Sequence, residues 1–528
     1  MEKPTITIKQ GKLQGALHDG VLGFPYIGFH EIPFAAPPVG ELRFKNPQPV
    51  APWTGIKDVS QGTGRACIQG SKQYHIIGDE DCLYLNVYTN SLSGCKPVIV
   101  WLHYGAFVEG SGSHAMFRPD YLLTKDVVVV TLNYRLGIFG FLNLQHKVAP
   151  GNLGVKDVIA GLEWIKQNIA NFGGDPNNVT VYGGSCGAVI AHCLAMSPRA
   201  KGLIHKAIIS GGCLISPCMT SGPEFIRQFL QQLGINTKDP EEIVKILRKL
   251  PAKDIVTVQY RFQQELECNL KNLPTFTCLV NINNDDMSDD PVLPLPKEKL
   301  LSTVFNIPVI CGYTTLEIML FIEQDFEDKL PLTTDYLLRF YPHCLKTEQF
   351  EIGDTEEFLE TIKNWYFEGQ SSIHEDLLSN FLEFSSDMKC NIPMQLLAKN
   401  QVKYSSQPLY FYIFTYVGNQ TYEVPLRKIF NVTTHQDDTS YLFYYPAVSA
   451  APPSEGTKDR IMINRLCTMW ANFAKTGNPT PPLDDCVKVI WEPVRKDKLN
   501  YLEIDEESKM SIMGPHIFEE KSNFTFNV

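Results

Sequence analysis

The sequence predicts an α/β fold on a doubly wound, mostly parallel sheet, and three observations carry that reading. Over the first two-fifths of the chain, continuous apolar, β-branched runs alternate with stretches at helical spacing. The apolar runs lack the polar alternation of a half-exposed strand, as expected of parallel strands covered on both faces. No internal repeat or low-complexity linker breaks the 528 residues, so one domain over 1–528 is the simplest reading.

In chain order, Thr5-Ile6-Thr7-Ile8 alternates as an opening strand. Pro97 to His103 and Val127 to Tyr134 are buried strands. Val155, Val158, Ile159, Leu162, Ile165 and Ile169 mark a helix that stops near Gly173-Gly174. Val179 to Tyr182 is a short strand, Cys186 to Met196 a helix, and Lys206 to Ser210, Pro308 to Gly312 and Leu409 to Tyr416 are further strands. Asp459 to Lys475 is a helix with a stop signal in Gly477 and Pro479. Residues 214–300 and 321–405 are less regular, and read as helical insertions over the carboxyl edge of the sheet.

Composition narrows the function classes. A chain 44% hydrophobic and 20% charged is neither disordered nor fibrous. Its net charge of −11 leaves no basic surplus for nucleic acid. No run of 18 apolar residues appears, so no transmembrane segment is expected. Met1 to Ile8 lacks the features of a secretory signal, which predicts a cytoplasmic protein, or a secreted one if a leader has been trimmed. The 14 cysteines leave the compartment open: Cys67 with Cys82, and Cys268 with Cys278, suit short bridged loops. Cys186, Cys193, Cys311 and Cys467 instead sit in apolar segments and read as buried thiols. Asn178, Asn419, Asn431 and Asn523 each begin a glycosylation triplet, of use only on a secretory route. No Cys/His cluster has metal-ligand spacing, so neither metal nor cofactor is expected, and a homo-oligomer is compatible with the sequence.

Gly183-Gly184-Ser185-Cys186-Gly187 fits G-x-S-x-G, a strand-to-helix turn so sharp that only small residues fit beside an exposed serine. The strand before it and the apolar helix after it supply the required context. An oxyanion hole needs backbone N–H groups from the residue after the serine and from a loop leaving an earlier strand. His103-Tyr104-Gly105-Ala106-Phe107 is that loop, which makes Gly105, Ala106 and Cys186 the candidate donors.

From about residue 5 to about residue 495 the chain resembles the type B carboxylesterase/cholinesterase family. Glu80-Asp81-Cys82-Leu83-Tyr84-Leu85-Asn86-Val87 reproduces a family signature. Phe34 to Gly40, Asn133-Tyr134-Arg135-Leu136-Gly137, Asn171 to Pro176 and Phe473 to Pro479 are further landmarks. Among the branches it looks most like the intracellular α-esterases of insects. The resemblance implies an α/β-hydrolase fold and a Ser–Glu–His triad. It places the acid at Glu317, in Gly312-Tyr313-Thr314-Thr315-Leu316-Glu317. It places the base at His435, in His435-Gln436-Asp437-Asp438 ahead of Tyr441-Leu442-Phe443. The residues alone single out neither, since Glu317 reads as a loop acid and His435 as one of 12 histidines. The implied activity is hydrolysis of small-molecule carboxylic esters through an acyl-enzyme, in keeping with a detoxification role.

Departures from the family pattern shape the expected substrate. Gly184 stands where the elbow usually has Glu, Cys186 where it has Ala, and Tyr104 and Ala106 replace two glycines of the oxyanion loop. Loss of a carboxylate at 184 removes a charge that would favour protonated His435. A slow enzyme of restricted acyl range follows, in which Glu at 184 with Ala at 186 is expected to raise turnover. Between Cys67 and Cys82 the chain has Tyr74 and His75 but not the tryptophan by which cholinesterases hold a quaternary ammonium, so choline esters are not expected. The juvenile-hormone branch usually has Gln at the position of Gly184, which weakens that assignment. A rival reading is a non-catalytic relative that binds or sequesters a hydrophobic ligand or a partner. A lipase would need an amphipathic lid that 321–405 does not present.

Overall fold

The structure, a computed structural model, describes residues 3–70, 75–216, 223–269, 282, 284–285, 287–295, 305–322, 332–333, 350–352, 355–481, 483, 486–516 and 524–526. Its centre is an 11-stranded sheet. Numbered along the chain, the strands are β1 (Ala16–His18), β2 (Tyr26–Pro33), β3 (Tyr84–Thr89), β4 (Lys96–Leu102), β5 (Val128–Leu132) and β6 (Gly174–Gly184). The series continues with β7 (Lys206–Ser210), β8 (Val309–Thr314), β9 (Leu409–Phe414), β10 (Asn500–Ile504) and β11 (Lys509–Ile512). Their order across the sheet is β11-β10-β9-β8-β7-β6-β4-β5-β3-β2-β1. From β5 through β10 all neighbours are parallel, and both flanks are antiparallel. This is the mostly parallel sheet that the apolar runs predicted.

Side chains alternate between two cores, as a sheet covered on both sides requires. Val98, Val100 and Leu102 of β4 join one core, with α1 (Leu153–Asn168) and α2 (Cys186–Met196). Ile99 and Trp101 join the other, against the long helix Lys458–Thr476. Between them the chain adds α3 (Pro223–Gln232), α4 (Pro240–Lys249), α5 (Ala252–Asn269), α6 (Thr355–Tyr366), α7 (Leu378–Ser386) and α8 (Ile392–Tyr404), so the long helix is α9. Phe381 and Leu382 of α7 pack on Ile318 and Met319, just past the carboxyl end of β8, where the second insertion was expected to sit. Helix α9 ends at Gly477 with φ 78°, a left-handed stop that glycine adopts without strain.

The antiparallel flank β1–β3 was not foreseen, because its strands carry buried polar residues that break the apolar signal. Asn86 in β3 accepts from the Glu31 amide at 2.9 Å and donates to the Gly112 carbonyl at 2.9 Å. Cys67 and Cys82 form a disulfide, whereas Cys278 and Tyr74 lie outside the described residues. The four cysteines read as buried thiols are all buried, and none of them is in a disulfide.

The same flank holds His18, His30 and His114, whose ring centroids lie 5.0–5.7 Å apart. His18 and His30 share a 3.1 Å hydrogen bond between Nε2 atoms, and His114 bonds the Tyr26 hydroxyl at 2.8 Å. Burial pushes His30 down to about 3 and His114 to about 4, and lowers His18; Arg118 adds to the effect on His18 and His114, and Asp120 opposes it. An unfolded chain protonates these rings near pH 6.5. Below that pH the folded protein holds fewer protons than the unfolded chain, so its stability falls with acidification; above it these rings contribute no slope. We expect His30→Leu to flatten the pH dependence of urea unfolding between pH 6.5 and 5 by up to about 1.4 kcal/mol per pH unit. Equal slopes in both proteins would contradict this account.

Candidate active site

Strands β4 and β6 pair in parallel with Leu102 opposite Gly183, so both end at one level. The other neighbour of β4 is β5, which makes the gap beyond these two ends the point where the sheet's winding reverses. Open α/β sheets bind ligands at such a point.

Beyond β6 the chain turns at Ser185, with φ 55° and ψ −122°, a conformation rare for an L-residue. The Ser185 amide donates to the Ser210 carbonyl at the end of β7, at 2.8 Å. Close contact dictates the flanking glycines. A Cβ on Gly183 would lie 2.0 Å from the Gly187 carbonyl oxygen, and one on Gly187 would lie 2.1 Å from that of Leu102. The serine itself remains partly exposed.

The loop leaving β4 comes beside this elbow. Gly105 has φ 120°, and a Cβ there would meet the Glu109 carbonyl at 2.1 Å. Ala106 and Phe107 also have positive φ, at 50° and 62°. Tyr134 holds the loop's base: its hydroxyl donates to the His103 carbonyl at 2.8 Å, and its ring stacks on His103 at 4.4 Å. Cys186 opens α2, and the first amides of a helix have no acceptor within it. Its sulfur lies 3.6 Å from the Tyr134 hydroxyl. Burial pushes this thiol up to about 11, so Cys186 is a protonated packing group rather than a second nucleophile. Removing the phenol in Tyr134→Phe should loosen the loop and lower kcat on the order of tenfold, a fraction of the 10²–10³ that one oxyanion donor is worth. Steady-state kinetics on a small aryl ester checks this, and an unchanged kcat would remove Tyr134 from the scheme.

Glu317 follows β8, and His435 follows β9 by a longer path. Both are buried, at 4% and 6% exposure. One Glu317 oxygen accepts from the Thr314 amide at 2.7 Å and the Thr314 hydroxyl at 3.1 Å, and the other is hydrogen-bonded to His435 Nδ1. With Nδ1 so engaged, Nε2 is the nitrogen left to take a proton. Two threonines staple the loops together. The Leu316 amide donates to the Thr433 carbonyl, the Leu320 amide to the Thr434 hydroxyl, and that hydroxyl to the Leu316 carbonyl, at 2.8–3.0 Å. A tight turn, Gly211-Gly212, brings this pair to the elbow. A Cβ on Gly211 would lie 3.2 Å from His435 Nδ1, and one on Gly212 2.8 Å from the Ser185 carbonyl. Ser185, Glu317 and His435 thus share one neighbourhood.

Asp438, behind the histidine, accepts from Ser210 Oγ at 2.8 Å and the Tyr412 hydroxyl at 2.5 Å, and burial raises its pKa. Asp437 is pushed up to about 6 by burial, which the Arg427 guanidinium at 2.8 Å opposes. Sequence reasoning missed Tyr134, Thr433, Thr434, Ser210 and Tyr412. Tyr134 lies inside the Asn133–Gly137 landmark, and the others carry no local signal.

The expectation for position 184 changes. A Cβ on Gly184 would lie 2.2 Å from Gln436 Oε1 and 3.0 Å from the Trp101 ring, so a glutamate there would have to displace the end of the Gln436 side chain. The gain in turnover expected of Glu at 184 with Ala at 186 therefore depends on Gln436 giving way.

The Carboxylesterase family profile matches residues 2–525. Esterase FE4 of Myzus persicae is 33% identical, over 97% of this chain and 92% of its own length. Juvenile hormone esterase of Heliothis virescens is 30% identical, over 87% and 83%. The crystal structure of juvenile hormone esterase from Manduca sexta with OTFP covalently attached superposes with a TM-score of 0.81 at 27% identity, covering 98% of both chains.

Proposed function

Because the chain belongs to the carboxylesterase family and is a carboxylic ester hydrolase, we propose that Ser185, His435 and Glu317 are the groups by which it cleaves apolar esters. The observation that carries this assignment is the buried hydrogen bond between Glu317 and His435 Nδ1, held beside the strained Ser185 turn. His435 Nε2 takes the Ser185 proton as Oγ attacks the ester carbonyl, while Glu317 fixes the tautomer and stabilises the imidazolium. The amides of Gly105, Ala106 and Cys186 receive the oxyanion. His435 returns the proton to the leaving alcohol, and water then cleaves the acyl-enzyme by the same route reversed.

Aromatic groups support an apolar substrate. Tyr104, partly exposed in the oxyanion loop, offers the aromatic surface, and it is held there by the buried Trp101 and Phe117 rings and by hydroxyl bonds to Tyr422 and Tyr445. The Ala106 methyl takes space that a glycine would leave free, and this supports a restricted acyl range. An acyl-chain-length series of p-nitrophenyl esters, run with stoichiometric labelling by an organophosphate, tests the reading. Hydrolysis with one label per chain supports it. An intact protein that neither labels nor hydrolyses any member is instead a binder of hydrophobic ligands.

A further inference from the structure

The residue after the histidine occupies a place that the elbow leaves open. Gln436 is 2% exposed and has φ 66°, a left-handed conformation unusual for glutamine. Its Oε1 accepts from the Thr439 hydroxyl at 3.0 Å and would lie 2.2 Å from a Cβ on Gly184. Its Nε2 would lie 3.0 Å from a Cβ on Gly211 and makes no hydrogen bond to any described residue. The carboxamide is thus wedged between two glycines, one directly before Ser185 and one against the His435 ring. A side chain on either glycine would push the Gln436 carboxamide from its place.

We propose that Gln436 is a positioning residue: its carboxamide fills the volume left by Gly184 and so sets the spacing between the nucleophile turn and His435. The inference rests on the reading of Ser185 and His435 as the reacting pair. The Gln436 carboxamide keeps its place only with glycine at 184, and the loss of either half lets the turn bearing His435 shift against the elbow. A one-ångström misplacement of a reacting group costs on the order of 10²-fold in rate, so this spacing is felt in kcat more than in KM.

Five variants test the pairing on p-nitrophenyl acetate: Gln436→Gly, Gln436→Asn, Gly184→Ala, Gly184→Ala with Gln436→Gly, and Gly184→Gln with Gln436→Gly. Glycine suits the positive φ at 436, and asparagine tolerates it while being too short to reach Gly184. Each single change at 436 should lower kcat about tenfold or more with KM within about twofold, and should shift the acid limb of kcat/KM against pH. Returning the carboxamide from the other side, in Gly184→Gln/Gln436→Gly, should recover most of the lost kcat. Gly184→Ala should be harmful beside Gln436 and nearly neutral once Gln436→Gly has emptied the site. Wild-type kcat and pH profile in both single variants at 436, or effects at 184 and 436 that simply multiply, would overturn the proposal. Thermal midpoints of the same proteins read the pairing without turnover, and additive shifts would also overturn it. If the unaltered enzyme fails to cleave the ester, the assignment of the reacting groups fails, while the midpoints still judge the pairing.

Discussion

Ser185→Ala should lower kcat/KM on a small aryl ester by 10⁴-fold or more, about 5.5 kcal/mol of transition-state stabilisation. The change removes the only protein atom that bonds to the acyl carbon in the proposed route, and a methyl group cannot take its place. Residual rate would come from the oxyanion amides and from binding, which survive the change. The substitution adds no bulk, so the turn should persist and the melting temperature should barely move. Labelling by an organophosphate should vanish at the same time. Glu317→Gln makes the complementary case: the nucleophile stays, but the amide can present its N–H to His435 Nδ1 and favour the wrong tautomer, a loss of comparable size. A Ser185→Ala protein that keeps activity within tenfold of the parent would place the nucleophile elsewhere.

The largest expected loss of stability lies away from the chemistry, at Arg135. Its guanidinium grips the Asp157 carboxylate of α1 through Nε at 2.8 Å and Nη2 at 2.7 Å, and the Arg135 amide adds a third bond at 3.0 Å. A fourth group, Nη1, donates to the Lys45 carbonyl at 2.8 Å. The two side chains are 4% and 0% exposed, so Asp157 has no recourse to water if its partner is removed. Arg135→Met should therefore cost about 3–5 kcal/mol, read as a lower urea midpoint. Arg135→Met combined with Asp157→Leu should restore much of this, because an apolar pair of similar volume escapes the desolvation penalty. A single variant as stable as the parent would mean that the carboxylate is hydrated after all.

How much could be read in advance follows from where each signal resides. The strands β4, β5 and β7 declare themselves because burial on both faces forces unbroken apolar runs, and Lys206–Ser210 matches the expected bounds. Ser185 is legible because its turn imposes glycines two residues to either side. Glu317 and His435 carry no such local mark: what singles them out physically is each other, together with the Thr433 and Thr434 bonds that join distant loops. Their positions came from resemblance, not from periodicity. Gln436 was invisible for a further reason. The vacancy it fills is created by Gly184, and a missing side chain shows its purpose only when its neighbours are in place.

One consequence of the threonine staple concerns the order in which the machinery fails. Glu317 and His435 are bolted into a single unit by bonds between residues 315–320 and 433–434. Ser185 instead rides on the junction of β6 and α2, and meets that unit across a turn of two glycines. Gentle heating should therefore uncouple serine from imidazole while imidazole and carboxylate remain clasped. Turnover would then disappear in a molecule whose spectroscopic signature is still that of the native state.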